Sequence, residues 1–100
     1  MTEKLHRMRR MVERRGETFM VGANSHTGIF GIAAHADARN YLPEAALSGA
    51  NTPLYAIMVK DDDTTLPTDS IVWAGMTLTI HGIVARVQNG ATLFKLIFAS

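Results

Sequence analysis

Asn89-Gly90 stands between two β-forming runs, Ile83–Gln88 and Leu93–Phe98. A type I′ turn needs positive φ at both central residues, and Asn-Gly supplies it cheaply. This dipeptide commits the C-terminal part of the chain to an antiparallel hairpin. Upstream, Met76–His81 alternates, with Met76, Leu78 and Ile80 on one face and Thr77, Thr79 and His81 on the other. That is the period of a half-buried strand. Gly82 separates it from the hairpin. Leu54–Lys60 is strongly β-forming and ends in Asp61-Asp62-Asp63, and Ile71–Trp73 reads as a short strand or turn after the polar connection Thr64–Ser70. Glu17–Gly22 has strand composition around Phe19 and Val21. Ala23–Gly28 is a turn cluster, and Gly28–Ala34 is a second strand whose interior Gly31 predicts a bulge or a close backbone approach. No helical stretch separates the strands of the C-terminal half. A mainly β domain is expected, a small antiparallel barrel or sandwich of six or seven strands.

Two segments break this pattern. Residues 3–15 place Leu5, Met8 and Val12 at helical spacing, with Met11 on the same stripe and charged residues between them. Arg14 and Arg15 suit the C-terminal end of a helix dipole, and Gly16 is its stop. The division is therefore an N-terminal basic amphipathic helix, 1–16, and a β domain, 17–100. The second segment is the loop 35–53, with Asp37, Asn40, Pro43, Ser48, Gly49, Asn51 and Pro53. Pro43–Leu47 fits a short helical turn with Pro at its first position. A connection that long is usually functional or disordered.

Composition bounds the rest. A chain of 100 residues makes one domain with a thin core. Hydrophobic residues at 47% and charged residues at 19% argue against disorder. The absence of cysteine excludes disulfides and thiolate chemistry. No apolar run approaches the roughly 20 residues of a membrane span, and the charged N-terminus does not read as a signal peptide. The net charge of +1 hides a split. Residues 1–15 hold Lys4, Arg7, Arg9, Arg10, Arg14 and Arg15 against Glu3 and Glu13, a surplus of +4, and the remainder is −3. A basic arm on an acidic body points to an acidic contact, either nucleic acid or a neighbouring subunit.

Catalytic constellations are not evident. Asp61-Asp62-Asp63 invites a cation, but an EF-hand loop counted from Asp61 would need Glu where Val72 stands. Otherwise the triplet is a solvated strand end that discourages edge pairing. His6, His26, His35 and His81 show no zinc-ligand spacing. Nucleophile-elbow, Walker and dinucleotide motifs are absent, and Gly28-Ile-Phe-Gly31 lies in a strand with no phosphate-binding helix after it. The expectation is a protein that is not an enzyme and takes no cofactor and no metal.

For the basic helix three readings stay open. It contacts nucleic-acid phosphates, although it lacks aromatics to stack bases; it docks its apolar stripe in a partner groove; or it packs on its own sheet. Trp73 reads as core or sheet cover. Tyr41-Leu42-Pro43 is either a partner anchor or simple packing.

The layout resembles the head-closure or head–tail joining proteins of tailed bacteriophages, also called stopper or tail-attachment proteins. The stretches that carry the resemblance are Gly28–Ala34, the loop 35–53, Pro53–Val59, Ala74–Ile80, Ile83–Val87 and Leu93–Ile97. The last part is similar to the family's Gly-Asp-x-Leu-x-Ile strand followed by a strand, a turn and a final strand. Met76 departs from it where an acid usually follows the glycine. The resemblance implies a virion protein, assembled in the host cytoplasm as a homo-oligomeric ring between portal or adaptor and tail terminator or tail tube. DNA would cross its channel without sequence-specific binding, and no membrane would be involved. Leu5, Met8, Arg9 and Val12 of the helix and Arg39, Tyr41, Leu42 and Glu44 of the loop would then contact partners. Asp61, Asp62 and Asp63 would line the channel, and the loop would gate it or reach a neighbouring ring. A tail terminator or adaptor of the same neck is the nearest alternative. A small nucleic-acid-binding module using the arginine-rich helix is the other.

Overall fold

The computed structural model describes residues 2–100. Helix α1 (Thr2–Arg15) precedes β1 (Glu17–Val21) and β2 (Asn24–Ala33). One-turn helices α2 (His35–Ala38) and α3 (Glu44–Leu47) follow, and then β3 (Leu54–Lys60), β4 (Ser70–Trp73), β5 (Met76–Gln88) and β6 (Ala91–Ala99). The strands form a closed antiparallel barrel in the order β1-β2-β3-β6-β5-β4. Three two-residue turns make its hairpins. Asn89 and Gly90 take φ of 51° and 79°, the type I′ geometry expected of them. Ala74-Gly75 does the same between β4 and β5, with φ of 51° and 77°. Gly22 at φ 61° closes β1 onto β2 with only Ala23 beside it, a type II′ turn that needs Gly at its first position. The first turn therefore comes earlier than the polar composition of residues 23–28 predicts. Asn24–Gly28 is strand, paired with Glu17–Val21.

Met76–Gln88 is one strand rather than two. Its register on β6 shifts between Ile80 and Gly82, and there the strand turns from β4 to β6, the bend a bulge produces. A Cβ on Gly82 would lie 2.4 Å from Leu42 Cδ2. Gly31, where a bulge was expected, pairs regularly with Ala56. The close approach belongs instead to Gly28, whose Cβ would stand 2.6 Å from Ile57 Cγ2.

Phe19, Ile57, Val59, Ile71, Leu78, Ile80, Ile97 and Ala99 fill the barrel. Strand alternation turns Leu54 and Phe98 outward, and there they are buried with Ala38, Leu42 and Leu47. The segment 35–53 is thus a packed cover with two helical turns, not a bare loop. Pro43 sits just before α3, at φ −65° and ψ 153°, as its cap rather than its first residue. Helix α1 packs across β2, β3 and β6 and ends where Gly16 N–H donates to Val12 O at 2.8 Å.

The cover makes a testable contribution to stability. Truncating a buried leucine costs about 2–5 kcal/mol. Leu42→Ala is expected to fall in that range by urea denaturation, with far-UV circular dichroism of the native state unchanged. A change under 0.5 kcal/mol would mean the segment does not pack in solution.

Candidate interaction surfaces

The inner stripe of α1 meets the barrel. Val12 is fully buried, and Leu5 and Met8 are half-buried. Met8 and Lys4 border a crevice with Arg86, Val87, Gln88, Leu93 and Phe94, and Lys4 Nζ donates to Gln88 Oε1 at 2.7 Å. Arg9 grips Asp61 with two parallel bonds, Nε to Oδ1 at 2.8 Å and Nη2 to Oδ2 at 2.9 Å. Such a fork is stronger and more directional than a point contact. The Arg9 hydrogen bond holds the Asp61 carboxyl below its usual range and raises the guanidinium in turn. Glu13 adds a looser pair with Lys60 at 3.6 Å. Of the four helix residues expected to meet a partner, Val12 faces this chain's own barrel and Arg9 is spent on Asp61. The opposite face carries Arg7, Arg10, Arg14 and Arg15 around Met11. Met11 therefore lies among the arginines rather than on the inner stripe.

The aspartate triplet separates into three environments. Asp61 holds Arg9. Asp63 is largely buried: its Oδ2 meets His26 Nδ1 at 2.9 Å, and its Oδ1 accepts Thr65 N–H at 2.9 Å. Burial pushes the Asp63 carboxyl up, but the bonds from Thr65 and His26 outweigh it and leave the group below its usual value. Lys95 Nζ donates to the Asp63 carbonyl at 2.9 Å, and the His26 ring stacks on Phe19 with centroids 5.4 Å apart. This network fixes the turn after β3. Asp62 alone is exposed. Among the described residues no group of three or more His, Cys, Asp or Glu is arranged to hold a metal ion.

On the cover, Arg39 and Glu44 pair at 3.3 Å on the surface. Tyr41 is exposed, with its ring 5.8 Å from Phe98, whereas Leu42 points into the packing beneath. The cover is clasped at its far end. Asn51 N–H donates to Ser100 Oγ at 3.0 Å, and that hydroxyl lies 2.7 Å from His81 Nε2. Asn51 takes one of the hydroxyl's two lone pairs, and the Ser100–His81 bond runs in the direction the imidazole tautomer sets. Burial, with a smaller push from the charge of His35, holds His81 below the ordinary histidine value. His35 Nε2 is itself buried without a hydrogen-bond partner among the described residues.

The barrel mouth holds the feature least visible in the sequence. Trp73 stacks on Phe30 with centroids 4.0 Å apart and planes at 10°, and meets Tyr55 edge-on at 5.2 Å. Glu17, Gly31 and Ile32 complete a groove of about 360 Å³. Beside it β2 runs on alone. Its pairing with β1 ends at Gly28, and among the described residues no strand pairs with Ile29–Ala33 on that side. Val21 and Asn24 flank the two-residue turn and form a hydrogen-bonded pair, so alternation turns the N–H and C=O of Phe30 and Ile32 to the open side. Ile32 is 75% exposed, and the run Ile29–Ala34 has no charge and no proline. Gly31 between Phe30 and Ile32 was the only hint of this edge. β1 and β4 meet through a single pair, Met20 with Val72.

The clasp predicts a pH dependence. A histidine held below its unfolded value contributes stability above that value and loses it as pH falls through about 6.5. The urea midpoint is expected to drop between pH 7.5 and 5.5, and His81→Asn should flatten that slope. An unchanged slope in the variant would remove His81 as its source.

No family model, no curated protein and no solved structure matches this chain, so the reading of its surfaces rests on their geometry.

Proposed function

We propose that this chain is a structural connector of a tailed-phage neck, a head-closure or stopper protein. It assembles as a ring between portal or adaptor and tail, around the channel that DNA crosses. The observation that carries the reading is the open edge of β2 beside the aromatic groove. An uncharged apolar strand edge is a template for pairing with another chain, and proteins that remain single blunt such edges with lysine, proline or bulges. Ile29–Ala33 carries none of these, which supports coverage by a neighbouring subunit. Support also comes from the order of elements. A helix, a β-hairpin, the 35–53 excursion and a compact closing unit β4–β5–β6 follow the layout of the resembling family. A terminator or adaptor of the same neck uses the same surfaces.

The partner roles of the residues follow their positions. Tyr41, Arg39 and Glu44 offer the outer side of the cover, while Leu42 and Val12 hold the covers in place from beneath. Of the triplet Asp62 alone is exposed, and in this reading it is the one that faces the channel.

Native mass spectrometry and particle imaging test assembly. Rings or neck-bound copies are expected, and a strict monomer at millimolar concentration would overturn the proposal. Ile32→Lys should abolish assembly while shifting stability by no more than about 0.5 kcal/mol, as surface substitutions do. Assembly that survives Ile32→Lys intact would exclude the β2 edge as the contact.

A further inference from the structure

We propose that the outer face of α1 binds the phosphate backbone of double-stranded nucleic acid, through Arg7, Arg10, Arg14 and Arg15 and without regard to base sequence. This does not depend on the ring, because it concerns a face that a single copy presents.

The face is built by the contacts on the other side of the helix. Val12 buried beneath, Arg9 forked on Asp61, and Lys4 bonded to Gln88 hold α1 in one orientation. That orientation leaves Arg7, Arg10, Arg14 and Arg15 exposed around a shallow depression of about 440 Å³. None of the four enters an ion pair among the described residues. Of the helix acids, Glu13 is paired with Lys60, and Glu3, four residues before Arg7, is the one carboxylate on the arginine face, against four guanidinium groups. Four like charges thus stand close together on a rigid support, in net excess over the single Glu3 carboxylate and with no ion pair among the described residues. Like charges at helical spacing destabilise a helix, so a polyanion that neutralises them gains that repulsion as well as the direct contacts.

The spacing fits a phosphate row. From Arg7 to Arg15 a helix advances about 12 Å, at 1.5 Å per residue. One strand of duplex DNA presents a charge about every 3.4 Å of axis, so the row spans three or four phosphates. Guanidinium forks match phosphate oxygens two at a time. With Met11 as its only apolar member and no aromatic side chain, the face has nothing on which to stack single-stranded bases. The ordering cost of a flexible basic tail is absent, since the helix is already fixed.

Fluorescence anisotropy with a random-sequence 16-base-pair duplex tests the proposal. Neutralising three or four phosphates gives a log–log salt slope of about −0.9 per contact, a loss of about 40- to 150-fold between 50 and 200 mM salt. Binding with that slope is expected. The variant Arg7→Gln/Arg10→Gln/Arg14→Gln, with helix content checked by circular dichroism, should lose at least tenfold in affinity. Arg86→Gln, which alters an exposed arginine of β5 outside the helix, should change it less than twofold. If the triple variant loses helix, Arg10→Glu alone should weaken binding severalfold. Three results would overturn the proposal: no binding at 50 mM salt, binding undiminished in the helix variants, or equal affinity for poly-glutamate of matched charge. The last would assign the face to an acidic protein surface. None of these outcomes bears on ring formation, which is measured without nucleic acid.

Discussion

A six-strand sheet this small closes on itself only if one strand turns a corner, and here that strand is β5. Its first half pairs with β4 and its second with β6, with the register shift at Ile80/Gly82 between them. Gly82 serves the corner and one further need. The space a Cβ would take is filled by Leu42 at 2.4 Å, so the bend that closes the barrel also receives the side chain that holds the 35–53 cover. The cover in turn buries Leu54 and Phe98, the outward residues of β3 and β6. Closure and cover are thus coupled through one missing methyl group.

The coupling matters because a chain of this length buries only about 60–65% of its potential surface. The barrel interior alone is a thin core, so the outer faces of β3 and β6 are used as well. α1 covers one stretch and the 35–53 segment another. Both are fastened by polar clasps at the rim, Arg9–Asp61 for the helix and Asn51–Ser100–His81 for the cover. The aspartate triplet at the end of β3 is better understood as part of this fastening than as a strip of free negative charge. Asp61 and Asp63 each satisfy partners that would otherwise be left unpaired, and a half-buried carboxylate is retained only when it is bonded.

Much of this was legible from local chemistry. Asn89-Gly90, the run Leu54–Lys60 and the stripe Leu5–Met8–Val12 with its Gly16 stop each identify their element, because turn, strand and helix follow from residues within one or two turns of chain. The hairpin at Ala74-Gly75 was less visible, since Ala has no preference for the positive φ it adopts there. Gly22-Ala23 was hidden by the polar run Asn24–Thr27, which reads as a loop but gains its strand from pairing with β1. The 35–53 segment has no period to detect: its buried residues Ala38, Leu42 and Leu47 answer to Phe98 and Leu54 far along the chain. The bonds of Asp61 and Asp63 are also long-range, and so is the open edge of β2, which exists only because β1 stops at its partner Gly28.

The charge split reads differently once those bonds are known. A surplus of +4 in residues 1–15 and −3 in the rest suggests a basic arm set apart from an acidic body. In the fold the two are one unit, joined where Arg9 meets Asp61 and Glu13 meets Lys60. Part of the opposite charge is consumed internally, and what remains outside is a surplus of arginine, four against the single Glu3, on one helix face. Removing the helix would therefore do two things at once: strip that face away, and leave Asp61 without its guanidinium and the outer wall of β3 and β6 without its cover. A truncated chain that failed to assemble would not distinguish a lost contact from a weakened barrel. Substitutions confined to the outer arginines separate them, because Val12 and Arg9 keep the helix seated while the face that looks outward changes.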